Sequence, residues 1–272
     1  MESKDGHRRI FGRELVRREV GNFALVESLY PANSRMQRHS HELAHISVVL
    51  RGSYTEYLGP RSRACAPSAL LLHPPGEDHS VAFHDAGARI FSVHLGPGWL
   101  ERVREHSKVL DSPAAFRDGP PSWLAVRLYR ESRAMDDVAP LMVESLALEI
   151  IAETSRQARA SGGSAPRWLE EVRELLHASV SEGVTFAGLA EAAGVHPVRL
   201  AREFRRHYRC TMGDYLRRLR VRAACRALSE TDAPFSEVAA AAGFYDQSHL
   251  TNTLKRFTGM TPAQYRAAFR AR

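Results

Sequence analysis

Hydrophobic and polar residues follow different spacings in the two halves of this chain. From residue 23 to about residue 95, short apolar runs such as Ile46–Leu50 and Ala69–Leu72 alternate with turn residues such as Pro74-Pro75-Gly76. Several short strands at this spacing are typical of a β-sandwich or β-barrel. From Pro97 onward, apolar residues recur at helical spacing. The pattern therefore predicts a strand-rich domain followed by helices.

The last third of the chain contains one pattern written twice. Residues 189–194 and 238–243 are short, alanine-rich stretches that end in glycine, and a basic segment follows each of them. Matching residues lie 49 positions apart before the turn and 50 after it: Leu189 with Val238, Gly194 with Gly243, Leu200 with Leu250, Phe204 with Leu254, Thr211 with Thr261, and Tyr215 with Tyr265. A short helix, a glycine turn and a basic second helix predict a helix-turn-helix, whose second helix enters the major groove of DNA.

Small residues separate the two halves. Residues 159–166 have little apolar content, which is typical of a flexible linker. We therefore predict an α+β two-domain protein, with a strand-rich domain that ends in helices over residues 1–158, a linker over 159–166 and an all-α DNA-binding domain over 167–272. The helix-turn-helix units are predicted at about 185–208 and 236–258, joined by a long helix.

Local signals refine the DNA-binding half. Thr185 is expected to cap the helix that opens the first unit, and Pro197 to occupy the first turn of its recognition helix. The second recognition helix is predicted from about Asp246 to Phe257. The connecting helix is expected to pack through one face, which carries Leu216, Leu219, Ala223 and Ala227.

The positive charge of the chain is unevenly distributed. From Pro166 to Arg272 there are 17 lysines and arginines against 11 acidic residues, whereas the preceding residues contain 21 against 20. Nearly all of the net charge of +7 therefore lies with the repeat. Neutralisation of DNA phosphates accounts for this asymmetry, although an arginine-rich, solvated surface would produce it too.

Cysteine content and hydropathy indicate a cytoplasmic, nucleoid-associated protein. The three cysteines, Cys65, Cys210 and Cys225, are odd in number and widely spaced, which suits buried thiols in a reducing compartment better than a disulfide framework. Residues 1–20 are charged and do not resemble a signal peptide. The apolar runs are too short to span a bilayer, so no membrane partner is expected.

The second copy carries a specific family resemblance. Residues 236–250 (SEVAAAAGFYDQSHL) and 255–266 (KRFTGMTPAQYR) resemble the signature of the AraC/XylS family of transcriptional regulators, over about the last hundred residues. The resemblance implies two helix-turn-helix units on one connecting helix, inserted into successive major grooves of promoter DNA. It also implies activation through contact with RNA polymerase, and a homodimer, with residues 1–158 as the ligand-sensing and dimerisation domain. Helices around Trp99, Leu100 and Val103 and over residues 122–157 are candidates for the dimer contact.

Positions in the two recognition helices suggest separate roles. The resemblance implies six base-reading residues: Val198, Ala201, Arg202, Gln247, Ser248 and Asn252. Four basic residues are expected to hold phosphates, which position the helices without reading sequence: Arg205, Arg206, Lys255 and Arg256. The chain departs from the family pattern at Asn252, where a basic residue is usual, and at Arg209 and Met212, which replace a glycine and a proline.

Histidines in the first half suggest a ligand site. His39, His41 and His45 would share one face of an extended strand, and His79 follows the turn at residues 74–78. The arrangement resembles the two cupin motifs, with His45 where cupins usually have glutamate. It implies a cupin-like barrel in which these four histidines bind one divalent metal, and Zn²⁺, Ni²⁺, Fe²⁺ and Mn²⁺ fit equally well. The alternative is a barrel that has lost its metal or holds an organic molecule through neutral histidines.

These observations favour a sequence-specific transcriptional regulator, most simply an activator, controlled by a small molecule or metal in the barrel. Two other interpretations remain at this point. One is an architectural DNA-binding protein with an inert barrel. The other is a metal-dependent cupin enzyme with a DNA-binding tail, although no general base or substrate clamp is evident in the sequence. We therefore expect no catalytic residues.

Overall fold

The computed structural model describes residues 12–117, 119–160, 165–181 and 185–270. Contacts divide the chain into two compact units, one ending at Ala115 and the other running from Phe116 to Arg270. The predicted order, strands first and helices second, is confirmed. The predicted linker stays a prediction because residues 161–164 lie outside the described residues. Helices between residues 120 and 160, assigned above to the sensing domain, group by contacts with the helical unit.

Strands account for most of the first unit. In the described part of the chain they are β1 (Arg13–Val20), β2 (Phe23–Tyr30), β3 (Arg35–His39), β4 (His45–Leu58), β5 (Arg61–Cys65), β6 (Ala69–His73), β7 (His79–Leu95) and β8 (Ala114–Arg117). A helix, α1 (Pro97–Arg104), follows β7 and buries Trp99, Leu100 and Val103. Since these three side chains are already buried within one chain, they do not form an exposed dimer seam.

The two longest strands organise the sheet. The first half of β4 pairs with β6 and with the second half of β7, which also pairs with β2. The second half of β4 pairs with β5 and with the first half of β7, which also pairs with β3. All of these pairings are antiparallel. The long strands therefore connect two halves of one sheet, and side chains from both halves line the same interior.

A glycine pair marks the change from one half to the other. The register between β4 and β7 shifts between Gly52 and Tyr54. Gly52 has φ +68°, and a Cβ there would lie 2.0 Å from the carbonyl oxygen of Gly87. Only glycine allows the two backbones to approach this closely, so the sequence fixes where the strands change register.

Three expectations for this unit were wrong. Strand β1 precedes the predicted start of the sheet, and β8 lies in the region predicted to be helical. His39 ends β3 and His45 begins β4, so the histidines do not share a single strand. Strands β1 and β8 show little apolar alternation, and their pairing with other strands determines their structure.

The second unit is helical apart from its first residues. Its described helices are α2 (Pro120–Arg133), α3 (Ala139–Ala160), α4 (Arg167–Ala178), α5 (Phe186–Ala192), α6 (Pro197–Tyr208), α7 (Met212–Glu230), α8 (Phe235–Ala241), α9 (Gln247–Thr258) and α10 (Pro262–Phe269). No described helix is long and apolar enough to cross a membrane. The three cysteines of the chain are buried thiols, as expected.

The predicted repeat is present as two helix-turn-helix units, α5–α6 and α8–α9. Thr185 caps α5 by accepting a hydrogen bond from the backbone N–H of Gly188, and Pro197 opens α6, as predicted. Asp246 caps α9 in the same way through the N–H of His249. Thr211 and Thr261, the matching residues of the two copies, cap α7 and α10. Short-range side-chain chemistry therefore sets the helix starts.

Helix α7 connects the two helix-turn-helix units, but of its predicted packing face only Leu219 is buried, whereas Leu216, Ala223 and Ala227 are half-buried. Its buried apolar residues are Met212, Leu219, Val221, Ala224, Cys225 and Leu228. Met212 and Leu219 belong to the core of the first helix-turn-helix unit, α5–α6. The remainder of α7 contacts α8, α9 and α10. Because the helix contributes to two cores in succession, its buried face shifts along its length and does not follow one stripe.

Candidate effector cavity and DNA-binding surface

The two halves of the sheet enclose a cavity of about 160 Å³. One end is rich in imidazoles and the other is apolar. The polar lining consists of Glu14, Arg17, Ser28, His39, His41, His45, Ser47, Glu56, His73, His79, Ser92 and His94, whereas Val26, Tyr30, Met36, Tyr54, Val81, Phe83 and Ile90 form much of the remainder. A cavity with convergent polar groups beside an apolar wall is the usual form of a small-ligand site.

His39 and His79 are held in one tautomer and face each other. They are register partners on β3 and β7, and their ring centroids lie 4.3 Å apart. Each Nδ1 lies within hydrogen-bond distance of a backbone carbonyl two residues earlier, that of Gln37 (2.8 Å) and that of Glu77 (3.2 Å). A carbonyl only accepts, so each Nδ1 carries the proton and donates. Each Nε2 is therefore left with a lone pair, and that of His39 is buried without a partner.

His41 completes a group of three nitrogen donors. It lies in the segment between β3 and β4, with ring centroids 5.1 Å from His39 and 5.3 Å from His79. One ring nitrogen from each of the three histidines lies within 4.8 Å of the other two. Nitrogens that bind one Zn²⁺ at about 2.1 Å lie roughly 3–4 Å apart, so small side-chain movements suffice to bring them together.

The protonation states of these histidines suit metal binding. Burial and the charges of neighbouring imidazoles lower the pKa of His41 to about 3. Burial, followed by the same kind of repulsion, lowers the pKa of His79 to about 4. Both rings are therefore neutral at pH 7. A metal ion binds the neutral imidazole, so it would displace few protons here.

Glu56, His73 and His79 form a second group of possible metal ligands. In this group the ring nitrogen of His73 that faces Glu56 already has a hydrogen-bond partner. The Oε1 of Glu56 lies 2.7 Å from the Nε2 of His73, and its other oxygen accepts a hydrogen bond from Arg63. Burial favours the neutral acid, but the His73 hydrogen bond and the charges of His73 and Arg63 outweigh it and hold the pKa of Glu56 at about 2. An ionised carboxylate only accepts, so the Nε2 of His73 donates. That nitrogen is therefore occupied, unlike the Nε2 of His39.

The structure brings together three of the four predicted metal-binding histidines and places the fourth beside them. His45 lies 4.5 Å from His41 and 4.4 Å from His73, measured between ring centroids. Its Nδ1 is buried without a partner, and burial followed by neighbouring imidazoles lowers its pKa well below the usual value. It does not belong to the group formed by His39, His41 and His79.

Sequence reasoning missed Glu56, Arg63 and His94 as cavity or second-layer residues. In β4 the buried positions alternate through Gly52, Tyr54 and Glu56. A glutamate in the buried phase of a strand is the signal that could have identified it, because an unpaired buried carboxylate is costly. Its partner Arg63 is its register neighbour on β5.

The predicted DNA-contacting residues are all exposed on two recognition helices. Val198, Ala201 and Arg202 lie on α6, whereas Gln247, Ser248 and Asn252 lie on α9. The expected phosphate contacts Arg205, Arg206, Lys255 and Arg256 are exposed on the same helices. Leu200 and Phe204 face the opposite way and are fully buried, as are Leu250 and Leu254. Each recognition helix therefore has one side in a core and one side available to a partner.

Comparison with known proteins agrees with both parts. Residues 21–179 match the family described as "AraC-like ligand binding domain", and residues 189–268 match "Helix-turn-helix domain". The HTH-type transcriptional activator RhaR of Enterobacter sp. (strain 638) is 25% identical over 91% of this chain and 92% of its own length. The probable transcription factor PqrA of Proteus vulgaris is 30% identical over 37% of this chain and 78% of its own. The DNA-binding domain of AdpA, solved with a target DNA, is 32% identical over 38% of this chain and 93% of that chain, with a TM-score of 0.36.

The chain belongs to the AraC family of transcriptional regulators.

This AraC-family protein therefore combines a ligand-binding domain with a helix-turn-helix domain, as the sequence predicted. Its relatives are regulators, so the interpretation as a cupin enzyme is set aside. The departures from the family pattern have visible structural effects. Arg209 adopts a left-handed conformation with φ +56° where the second copy has Gly259, and Met212 is buried at the start of α7.

Proposed function

We propose that this AraC-family protein activates transcription at specific promoters in the cytoplasm, and that a divalent metal held by His39, His41 and His79 controls it. One observation carries the metal proposal. Backbone carbonyls fix the Nδ1 protons of His39 and His79, so both Nε2 lone pairs are available in the cavity. Metal-binding histidines in proteins are commonly oriented by such a hydrogen bond from the other ring nitrogen. His45 is retained as a neighbour of the donor group, not as its fourth member.

The DNA-binding part of the proposal rests on the exposed sides of α6 and α9, each of which carries polar and basic side chains. Arg202, Gln247 and Asn252 have side chains that can pair with base edges in the major groove. The basic residues beside them neutralise phosphates, which adds affinity without sequence preference. Contact with RNA polymerase supplies the activation step.

A homodimer is supported by an apolar stripe on α3. Leu141, Met142 and Leu148 are exposed on α3, Leu141 by 70%, and Val138 is exposed in the turn just before it. The opposite side of α3 is buried through Val143, Leu146 and Ile150. Exposed apolar side chains in a row are typical of a surface that pairs with another. A second copy of the chain would cover this stripe by a symmetric contact.

Light scattering on the full chain tests the dimer. A species of about twice the chain mass at micromolar concentration is expected. Leu141→Glu should give a monomer, whereas Leu175→Glu, at another exposed leucine, should not. A wild-type protein that runs only as a monomer would contradict this part of the proposal.

Metal analysis of full-length protein purified without a polyhistidine tag tests the effector. About one equivalent of a divalent transition metal per chain is expected, and His39→Ala and His79→Ala should each lower the affinity by about 10-fold or more. His84→Ala is the matched control, since His84 bonds to Ser53 and Thr55 outside the donor group. Less than about a tenth of an equivalent, with no uptake on dialysis against Zn²⁺, would contradict metal control.

Footprinting with metal-loaded and metal-free protein tests the regulator itself. A preferred duplex and a metal-dependent change in affinity of about 5- to 150-fold are expected, because allosteric coupling usually amounts to about 1–3 kcal/mol. A preferred duplex with no response to any metal would favour an organic effector. No preferred duplex among many would favour the architectural DNA-binding alternative.

A further inference from the structure

The charge balance of the cavity limits what accompanies a metal ion. A divalent ion held by His39, His41 and His79 has three neutral ligands, because imidazole binds metal without a charge. In the cupin pattern a glutamate follows these histidines, and here that position is His45. The donor group itself therefore leaves two positive charges without compensation.

The carboxylates already in the cavity are committed elsewhere. Those among the described lining residues are Glu14 and Glu56. Glu14 pairs with Arg17 at 3.4 Å, and both oxygens of Glu56 are occupied, one by Arg63 and one by His73. The Oε1 of Glu56 also lies 3.9 Å from the Nε2 of His79, so it could reach the metal only by giving up its hydrogen bond from His73. Its negative charge is already balanced by Arg63, which holds the other oxygen. Since uncompensated buried charge is strongly unfavourable, the ion needs an anion from outside.

The remaining space selects the form of that anion. At the apolar end, Tyr30 and Phe83 stack with ring centroids 4.5 Å apart, and Met36 and Val81 belong to the same buried cluster. A cavity of about 150 Å³ accepts a benzene ring, so the 160 Å³ here suits a molecule of similar size. A charged head directed to the histidines and an apolar body directed to Tyr30 and Phe83 would satisfy both ends.

We infer that the effector of this regulator is a small, apolar monocarboxylate that binds jointly with the metal ion, its carboxylate completing the coordination at His39, His41 and His79. This inference rests on the proposed metal site. Neither partner binds well alone, because the metal lacks a counter-charge and the carboxylate lacks a cation. Linkage requires each to tighten the binding of the other by the same factor.

Titration calorimetry on the full chain tests the pairing with Co²⁺ and benzoate as probes. Benzoate should bind at least about 10-fold more tightly to cobalt-loaded than to metal-free protein, and Co²⁺ should bind more tightly by the same factor in benzoate. The visible absorption of the bound Co²⁺ should change on addition of benzoate. Benzamide, which has the same shape without the charge, should give neither effect.

A carboxylate introduced into the wall supplies the missing charge internally. His45→Glu should bind Co²⁺ more tightly than wild type and lose most of the benzoate enhancement. His84→Glu adds the same charge at an exposed position on β7, and this variant should keep the benzoate enhancement. If His45→Glu does not fold, the wild-type comparison of benzoate with benzamide still decides the inference.

The outcomes separate this inference from the proposed function. Absence of Co²⁺ binding in wild type overturns the metal proposal and the inference with it. Binding of Co²⁺ with unchanged absorption and no benzoate enhancement overturns only the inference. The inference is also overturned if Glu56→Gln loses Co²⁺ binding and benzoate has no effect on Co²⁺ binding by the wild type. That result would identify Glu56 as the counter-charge.

Discussion

Trp123 of α2 packs edge-on against Phe257 of α9, with ring centroids 4.9 Å apart. About two helical turns further along α2, Arg130 donates a hydrogen bond to the carbonyl oxygen of Gly259, the residue that caps the end of α9. Helix α2 falls within the residues matched by the ligand-binding family, and α9 within those matched by the helix-turn-helix family. A direct packing contact therefore links a helix of the ligand-binding match to the second recognition helix.

Replacement of Trp123 should destabilise the helical unit. Trp123 is almost fully buried, so Trp123→Ala should lower the free energy of unfolding by about 3–5 kcal/mol, through lost contacts and the cavity left behind. Urea denaturation followed by circular dichroism measures the change. Trp168→Ala is the control: Trp168 is only partly buried and should cost clearly less. Equal losses at the two sites would contradict a specific role for the α2–α9 contact.

The two matching helix ends should respond oppositely to substitution. Arg209 is in the left-handed region at φ +56°, a conformation that is unfavourable for residues with a Cβ, so Arg209→Gly should stabilise the protein by up to about 1 kcal/mol. Gly259 has φ +74°, and a Cβ there would lie 2.9 Å from the Nη1 of Arg130, so Gly259→Ala should destabilise it by about 1 kcal/mol or more. Thermal unfolding of both variants tests the signs. A less stable Arg209→Gly variant would show that the arginine side chain offsets the backbone strain.

Two arginines of α6 should separate base reading from phosphate binding. Arg202→Ala should weaken binding to the preferred duplex by about 1–3 kcal/mol and leave non-specific binding nearly unchanged. Arg206→Ala should weaken binding to all duplexes about equally and reduce the dependence on salt. The carboxylate of Glu203 lies 3.3 Å from the Nε of Arg202 and 3.6 Å from the Nη1 of Arg206. Both arginines are therefore paired with the same carboxylate in the absence of DNA. The reverse pattern in gel shifts on specific and random DNA would exchange the two roles.

Acid should destabilise the metal-free ligand-binding unit at unusually mild pH. Burial and neighbouring imidazoles lower the pKa of His41 to about 3 and of His79 to about 4. An unfolded histidine titrates near pH 6.5, so below that pH the unfolded chain takes up protons that the folded chain excludes. The free energy of unfolding should therefore fall as the pH drops from about 6.5 towards 4, by about 1.4 kcal/mol per pH unit for each such histidine, and stay level above about pH 7.

Urea denaturation at several pH values, in the presence of a chelator, measures this dependence. Glu56 contributes in the same direction only below its ordinary pKa of 4.5, because its pKa in the fold is about 2. The interval between pH 6.5 and 4.5 therefore isolates the histidines. His41→Gln combined with His79→Gln should make the slope there shallower, with His45 and His94, whose pKa values burial also lowers, supplying the remainder. An unchanged slope would contradict the assignment.

Local chemistry made the DNA-binding half predictable. Thr185 and Asp246 accept hydrogen bonds from backbone N–H groups three residues later, and Pro197 has a fixed φ that suits the first helical turn. Their effect on helix starts is therefore visible in the sequence. Because the two copies match position by position, the helices predicted for the first helix-turn-helix unit also predict those of the second. The buried face of α7 was less predictable, because it depends on which core each turn of the helix meets.

The cavity was predictable only in part because strand pairing builds it. The spacing of His39, His41 and His79 resembles a known motif, and the structure places these residues together. Glu56 and Arg63 become neighbours only through the register of β4 and β5. A one-residue slip in that pairing would turn them to opposite faces, so no reading of single positions identifies the ion pair.

Helix α7 sets a requirement on the promoter as well as on the protein. With 19 residues it is about 28 Å long, a little less than the 34–36 Å of one turn of B-DNA. Because α7 runs without a break from the core of one helix-turn-helix unit to that of the other, it holds the two recognition helices at a fixed distance. A target site with five extra base pairs between its two halves would present the second half on the far side of the duplex, and half of the protein's contacts would be lost whatever the two sequences are.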